Sequence, residues 1–329
     1  MTAGVSTAPA PSAAPAVRRL FRDHPLIPLT ALLIVLVVVL ELVQPGTLSP
    51  NWVAIALRAA IPLAILAGCQ TLAMLTGGID LSVGTIASMA AFLVATQSTG
   101  QGPVVSILIG LGAAVIAGTI NGIGIGVFKV HPLIMTLGIG LVILGLMAAY
   151  QLAMVTSGVE LPDAIQWLGS GLDLGFLPNS LLLFVPVAAA ILLGLRYTGF
   201  GRLLFAVGDN PVASRLSGVR VWQVLVALYI LSAVLAALAG LLVAGLVKTA
   251  SISLVESAVL PSVAAAVIGG TSIMGGRGGY SGTIIGALIL TVLSALLGAL
   301  AFPEAVRQML FGLIVVVVAA AYARVTGEA

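Results

Sequence analysis

The chain has 329 residues, 60% of them hydrophobic and 7% charged, and a mean hydropathy of +1.25. No soluble fold has the interior to hide that much apolar surface, so lipid must act as its solvent. A net charge of +3 without a basic patch gives nucleic acid no support as a partner, and one cysteine with two distant histidines offers neither a disulfide nor a metal or cofactor site.

Residues 1–24 begin with an Ala/Pro/Ser/Thr-rich run and read as a disordered cytoplasmic tail. Arg18, Arg19 and Arg22 then precede apolar Leu26–Val43. With no convincing A-x-A cleavage site behind it, this stretch reads as an uncleaved first span, opening a transmembrane domain over 25–325. A spanning helix needs ~20 apolar residues. Candidates fall at 26–43, 53–75, 81–98, 103–127, 132–154, 180–195, 222–247, 258–275, 282–301 and 305–323. The expectation is an all-α polytopic membrane protein of about ten helices, some broken by Gly or Pro.

The basic residues sort by side. With the N-terminus inside, Arg18, Arg19, Arg22, Lys129, Arg196, Arg202, Arg215, Arg220, Arg277 and Arg324 are internal, ten of the 13 Lys and Arg, leaving Arg58, Lys248 and Arg307 outside. That bias predicts both termini in the cytoplasm. Two connections are longer than links: an acidic external loop at 156–179 and a basic internal one at 196–221.

Along the chain, T-G-G-I-D-L-S-V-G (76–84) comes first. Gly77 and Gly78 let the backbone leave helical geometry, and Asp80, with Ser82 as a second candidate, can cap the helix expected to begin at Leu81. Either this turn is an ordinary capped one, or its broken helix lines a translocation path or gate. Gly118, Gly122 and Gly126 mark a close helix-packing face, as do Gly282 and Gly286. Asn121 either bonds a neighbouring helix or faces a polar path.

In the internal loop, G-D-N-P-V-A-S-R-L-S-G-V (208–219) encodes a short capped helix. Asp209 or Asn210 serves as N-cap, Pro211 sits near the first helical position, and Gly218 is a natural terminator. Ala213, Ser214 and Arg215 lie between, making either a docking knob or a membrane-surface helix. The last stretch, I-G-G-T-S-I-M-G-G-R-G-G-Y-S-G-T (268–283), has no following Lys to make a phosphate loop and reads as a tight turn. Thr271 and Ser272 are its candidates for the path. Leu75–Gly84 and Val267–Gly276 both set a Gly pair and small polar residues between apolar segments, a possible internal repeat.

These three stretches, in this order, resemble the permease subunits of ATP-binding-cassette (ABC) sugar importers, the ribose-type branch in particular, and the resemblance covers roughly residues 25–325. It implies the ABC importer permease fold and overturns the surface-helix reading: the middle segment, Asp209, Asn210, Pro211, Ala213, Ser214, Arg215 and Gly218, corresponds to the loop that couples to the ATPase. It further implies a second permease copy or paralogue, ABC ATPase subunits beneath, and a periplasmic or extracytoplasmic sugar-binding protein above, in a bacterial inner membrane. The permease itself would be no enzyme. Asp209 departs from the family, which more usually has a small residue there. The alternative class, an ion-coupled secondary transporter, needs a titratable relay in the bilayer, for which Asp80 is the one candidate.

Overall fold

The computed structural model describes residues 26–154, 159–173 and 175–326, and every regular element there is a helix. The tail expected over 1–24 and part of the 156–179 loop lie outside the described residues. In chain order the helices are α1 (Leu26–Val43), α2 (Pro50–Leu75), α3 (Val83–Gln101), α4 (Pro103–Gly126), α5 (Pro132–Met154), α6 (Asp163–Ser170), α7 (Leu181–Tyr197), α8 (Gly199–Asp209), α9 (Pro211–Leu216), α10 (Val221–Val247), α11 (Val259–Ile268), α12 (Tyr280–Ala299) and α13 (Glu304–Thr326).

Among the described residues, six of these (α1, α2, α4, α5, α10 and α12) are long and apolar enough to cross a membrane. A seventh crossing results if α7 and α8, bent by 68° at Thr198, are taken together. Helix α3 has 19 residues but carries Thr85, Ser88, Thr96, Gln97, Ser98 and Thr99. It packs against α4, α5 and α10, so protein covers much of a surface that lipid would not solvate.

The expected span over 258–275 needs correction. Helix α11 stops at Ile268 because Gly270 takes φ +87°, and Gly269 lies so close to α12 that a Cβ there would sit 2.4 Å from the Thr283 amide nitrogen. The chain turns at the glycine pair instead of continuing through it.

Helix α10 is the axis of the bundle, flanked by α2, α3 and α4, with α6 against its far end. The small-residue face of α4 explains one side of it. A Cβ on Gly118 would meet the Tyr229 carbonyl oxygen at 2.5 Å, and one on Gly122 would meet the Val226 Cα at the same distance. Backbones at that separation gain dispersion contacts over their whole length, which is what holds helices together when lipid supplies no hydrophobic drive. Gly282 and Gly286 bring α12 onto α11 in the same way. Cys69, the one cysteine, is buried on α2.

The ends of the bundle differ in chemistry. At one end lie the 76–82 turn, the α8–α9 connection and the 269–279 turn. At the other, Arg58 on α2 donates to the Ser170 carbonyl at 2.8 Å, and Gly169 packs on Gly245 of α10. There, Asp173 accepts hydrogen bonds from Trp167 and Asn179, tying the end of α6 to the segment ahead of α7.

Candidate functional site

The two glycine pairs end their helices by one device. Gly77 takes φ +77° and the Gly78 amide donates to the Ala73 carbonyl at 3.0 Å; Gly270 takes φ +87° and the Thr271 amide donates to the Ala266 carbonyl at 3.0 Å. Both are Schellman closures, in which a left-handed residue lets the chain satisfy the last carbonyls of the helix. The equivalence pairs Gly77 with Gly270, one residue away from the match that aligning the two Gly-Gly pairs implies.

Beyond the first turn, Asp80 is 1% exposed. One carboxylate oxygen accepts from the Ser82 amide at 3.0 Å and the Ser82 hydroxyl at 2.6 Å; the other accepts from the Ser232 hydroxyl on α10 at 2.9 Å. Helix α3 begins at Val83 rather than Leu81, so Asp80 satisfies the amide just ahead of the helix instead of its first turn. Gln70 on α2 clasps the Asp80 backbone, donating to its carbonyl at 2.8 Å and accepting from its amide at 3.2 Å. Asn121 on α4 donates to the Ser82 hydroxyl at 2.9 Å, and the Leu81 amide donates to Thr136 on α5 at 3.0 Å.

The Asp80–Ser82 segment thus joins α2, α3, α4, α5 and α10 through its main-chain and side-chain polar groups, and no basic side chain pairs with the Asp80 carboxylate among the described residues. Such a network is worth more than isolated pairs, because each buried member left alone would cost its full desolvation. Among the described residues Asn121 Oδ1 and the Tyr229 hydroxyl have no partner, and a Cβ on Gly78 would lie 2.9 Å from that hydroxyl.

Thr271 and Ser272 are buried but do not join this network. Thr271 Oγ1 has no partner among the described residues, while Ser272 accepts from the Met274 amide at 3.1 Å and so shapes its own turn. The two turns meet through backbone. The Gly276 amide donates to the Leu75 carbonyl at 3.0 Å. Against the same carbonyl lies Gly208 of α8, where a Cβ would fall 1.8 Å from the oxygen, and Gly275 packs on Gly208 in turn. The three glycine-bearing stretches therefore converge on one point.

The segment leading away from that point is the capped loop. Asn210, not Asp209, is the N-cap of α9; its side-chain oxygen accepts from the Val212 and Ala213 amides at 3.0 and 2.9 Å. Asp209 closes α8 and packs against Gly276. Pro211 occupies the first turn, and Gly218, at φ +87°, ends the element. Arg215 is exposed, its Nε donating to the Pro211 carbonyl at 3.1 Å. Ser214 is buried and donates to the Ala206 carbonyl of α8 at 2.8 Å. The outward face is Val212, Ala213 and Leu216, the last 84% exposed.

Sequence reasoning missed Gln70, Thr136, Ser232 and Tyr229. Gln70 carried a usable signal, an amide deep in an otherwise apolar span. The hydroxyls carried little, since Ser and Thr commonly bond their own helix backbone.

A model of the family described as branched-chain amino acid transport system / permease component matches residues 53–319, from α2 into α13. The ribose import permease protein RbsC of Bacillus subtilis (strain 168) is 34% identical over 286 residues, 87% of this chain and 88% of its own. The fructose import permease protein FrcC of Rhizobium meliloti is 33% identical over 266 residues, 78% and 73% of the two chains. The probable ABC transporter permease protein y4mJ of Sinorhizobium fredii is 35% identical over 239 residues, 72% and 70% respectively. No solved structure matches. The chain belongs to the branched-chain amino acid transport system / permease component family, within which it resembles the ribose and fructose import permeases.

Proposed function

We propose that the chain is the membrane permease of an ABC importer, passing a sugar or sugar-like solute delivered by an external binding protein and driven by separate ATPase subunits. In this reading two permease copies, or this chain and a paralogue, enclose the path in a bacterial inner membrane. An even number of crossings places both termini and the 196–221 loop in the cytoplasm, with 156–179 outside. The likeness of the two Schellman turns supports descent from an internal repeat.

The observation that carries the proposal is the meeting of Gly208, Leu75 and Gly276. Force applied to the exposed face of α9 enters α8 through the Ser214–Ala206 bond and arrives at the ends of both glycine turns. Asp209, Asn210, Pro211, Ala213, Ser214, Arg215 and Gly218 build the coupling element, while Gly77, Gly78, Asp80, Ser82 and Asn121 form the junction it moves. Thr271 and Ser272 belong to the second turn.

The ion-coupled alternative would need Asp80 to trade protons or cations with water, yet the carboxylate is enclosed by Ser82 and Ser232. The deciding experiment is uptake in vesicles reconstituted with the ATPase subunit. Dependence on internal ATP with insensitivity to protonophore supports the importer, and the converse result removes it.

A further inference from the structure

Between the end of α4 and the start of α10 lies a cavity of about 570 Å³. Lys129, Arg215 and Arg220 line it together with Val127 and Trp222, and among the described residues no acidic side chain does. None of the three cations is ion-paired among the described residues. We propose that this cavity binds the anionic headgroup of a phospholipid from the surrounding bilayer.

Three features lead there. Like charges gathered around a hollow repel one another unless an anion occupies it, so the cluster asks for a phosphate or similar group. Lys129 sits in the left-handed region, at φ +58°, in the turn closing α4, where the Val130 amide donates to the Gly124 carbonyl at 3.1 Å. Glycine is the ordinary residue for such a closure, and the chain accepts backbone strain to set a cation there.

The rim then selects a lipid over free phosphate. Phe128 is 73% and Trp222 46% exposed beside the cations, at the ends of two helices long enough to cross the membrane. Exposed aromatic side chains at such a level lie among headgroups and upper acyl chains, and basic pockets between spanning helices are suited to anionic headgroups. A soluble anion would leave that apolar rim unused.

The test uses the full chain purified in mild detergent, with bound lipid read by native mass spectrometry. Arg215 belongs to the proposed coupling loop and is left intact. Phosphatidylglycerol should be retained over phosphatidylcholine, and Lys129→Gln with Arg220→Gln should lower its retention roughly tenfold or more. The charge-keeping pair Lys129→Arg with Arg220→Lys should restore retention, and Arg220→Gln alone, outside the strained turn, should give a partial loss. Equal retention of the two lipids, or a double variant that holds phosphatidylglycerol like the parent, overturns the proposal. So does displacement of the lipid by millimolar inorganic phosphate, which would make the site one for a soluble anion. Stoichiometric expulsion of the lipid by the ATPase subunit would assign the cavity to that partner's acids and also overturn it.

Discussion

The amide of Gly276 donates to the carbonyl of Leu75, joining the turn after α11 to the end of α2, and Gly208 of α8 rests on the same oxygen. A Cβ at Gly208 would lie 1.8 Å from that oxygen, so Gly208→Ala must push α8 away from α2. ATP-driven uptake by Gly208→Ala should fall at least tenfold, the equivalent of about 1.4 kcal/mol. Gly218→Ala meets no atom within 4 Å and faces only a left-handed backbone, a cost of roughly 1 kcal/mol, so it should transport nearly normally. Parent-like uptake by Gly208→Ala in reconstituted vesicles would show that this junction carries no work.

Asp80 presents both oxygens to donors, and its replacements separate shape from charge. Asparagine keeps one acceptor for the Ser82 amide and hydroxyl and can donate to the Ser232 hydroxyl, which accepts as readily as it donates. Leucine strands all three groups, at roughly 1–3 kcal/mol each. The thermal midpoint of Asp80→Leu in detergent should drop well below that of Asp80→Asn, whose uptake should persist. An Asn variant that inserts normally and transports nothing would mean that the charge itself is required.

The outward face of α9 should be the ATPase contact. Ala213→Trp places bulk on that face and should abolish co-purification of the ATPase subunit. Leu216→Ser removes an 84% exposed apolar group and should weaken it by about tenfold, within the range for truncating one interface anchor. Arg215→Ala should act more mildly. A tryptophan variant that still co-purifies with the ATPase and hydrolyses ATP on binding-protein stimulation would take the coupling role away from this loop.

Sidedness is open to direct labelling. In a Cys69→Ser background, where the serine hydroxyl can replace the thiol bond to the Ser232 carbonyl, cysteines at exposed Ser217 and Asp163 report opposite ends of the bundle. An impermeant maleimide should modify Asp163→Cys in intact cells and Ser217→Cys only after permeabilisation. The reverse pattern inverts the topology.

Much of this architecture was legible in the sequence because lipid imposes simple demands. Apolar length marked α1, α2, α4, α5, α10 and α12, and the four-residue glycine spacing marked the α4 face that meets α10. Asn-Pro and a later glycine bounded α9 to within a residue. What stayed hidden depended on tertiary placement. The inward rotation of Ser214 follows from α9 turning back onto α8 at the extended Asn210, a packing that no local pattern in α9 encodes. The early end of α11 comes from the left-handed turn at Gly270, where apolar length alone carries the span on to 275. The convergence on Leu75 is written in main-chain atoms, which every residue possesses and none advertises.

That last point bears on how the machine would run. A junction of peptide groups has no rotamers, so no side-chain torsion can swing aside to absorb a small displacement. Leucine, methionine or lysine at such a place would act as a spring; carbonyl against glycine acts as a bearing without slack. A shift of a few tenths of an ångström at α8 would arrive at α2 and α11 almost undiminished. Substitutions among the surrounding side chains would change how firmly the parts are held far more than how faithfully they follow one another.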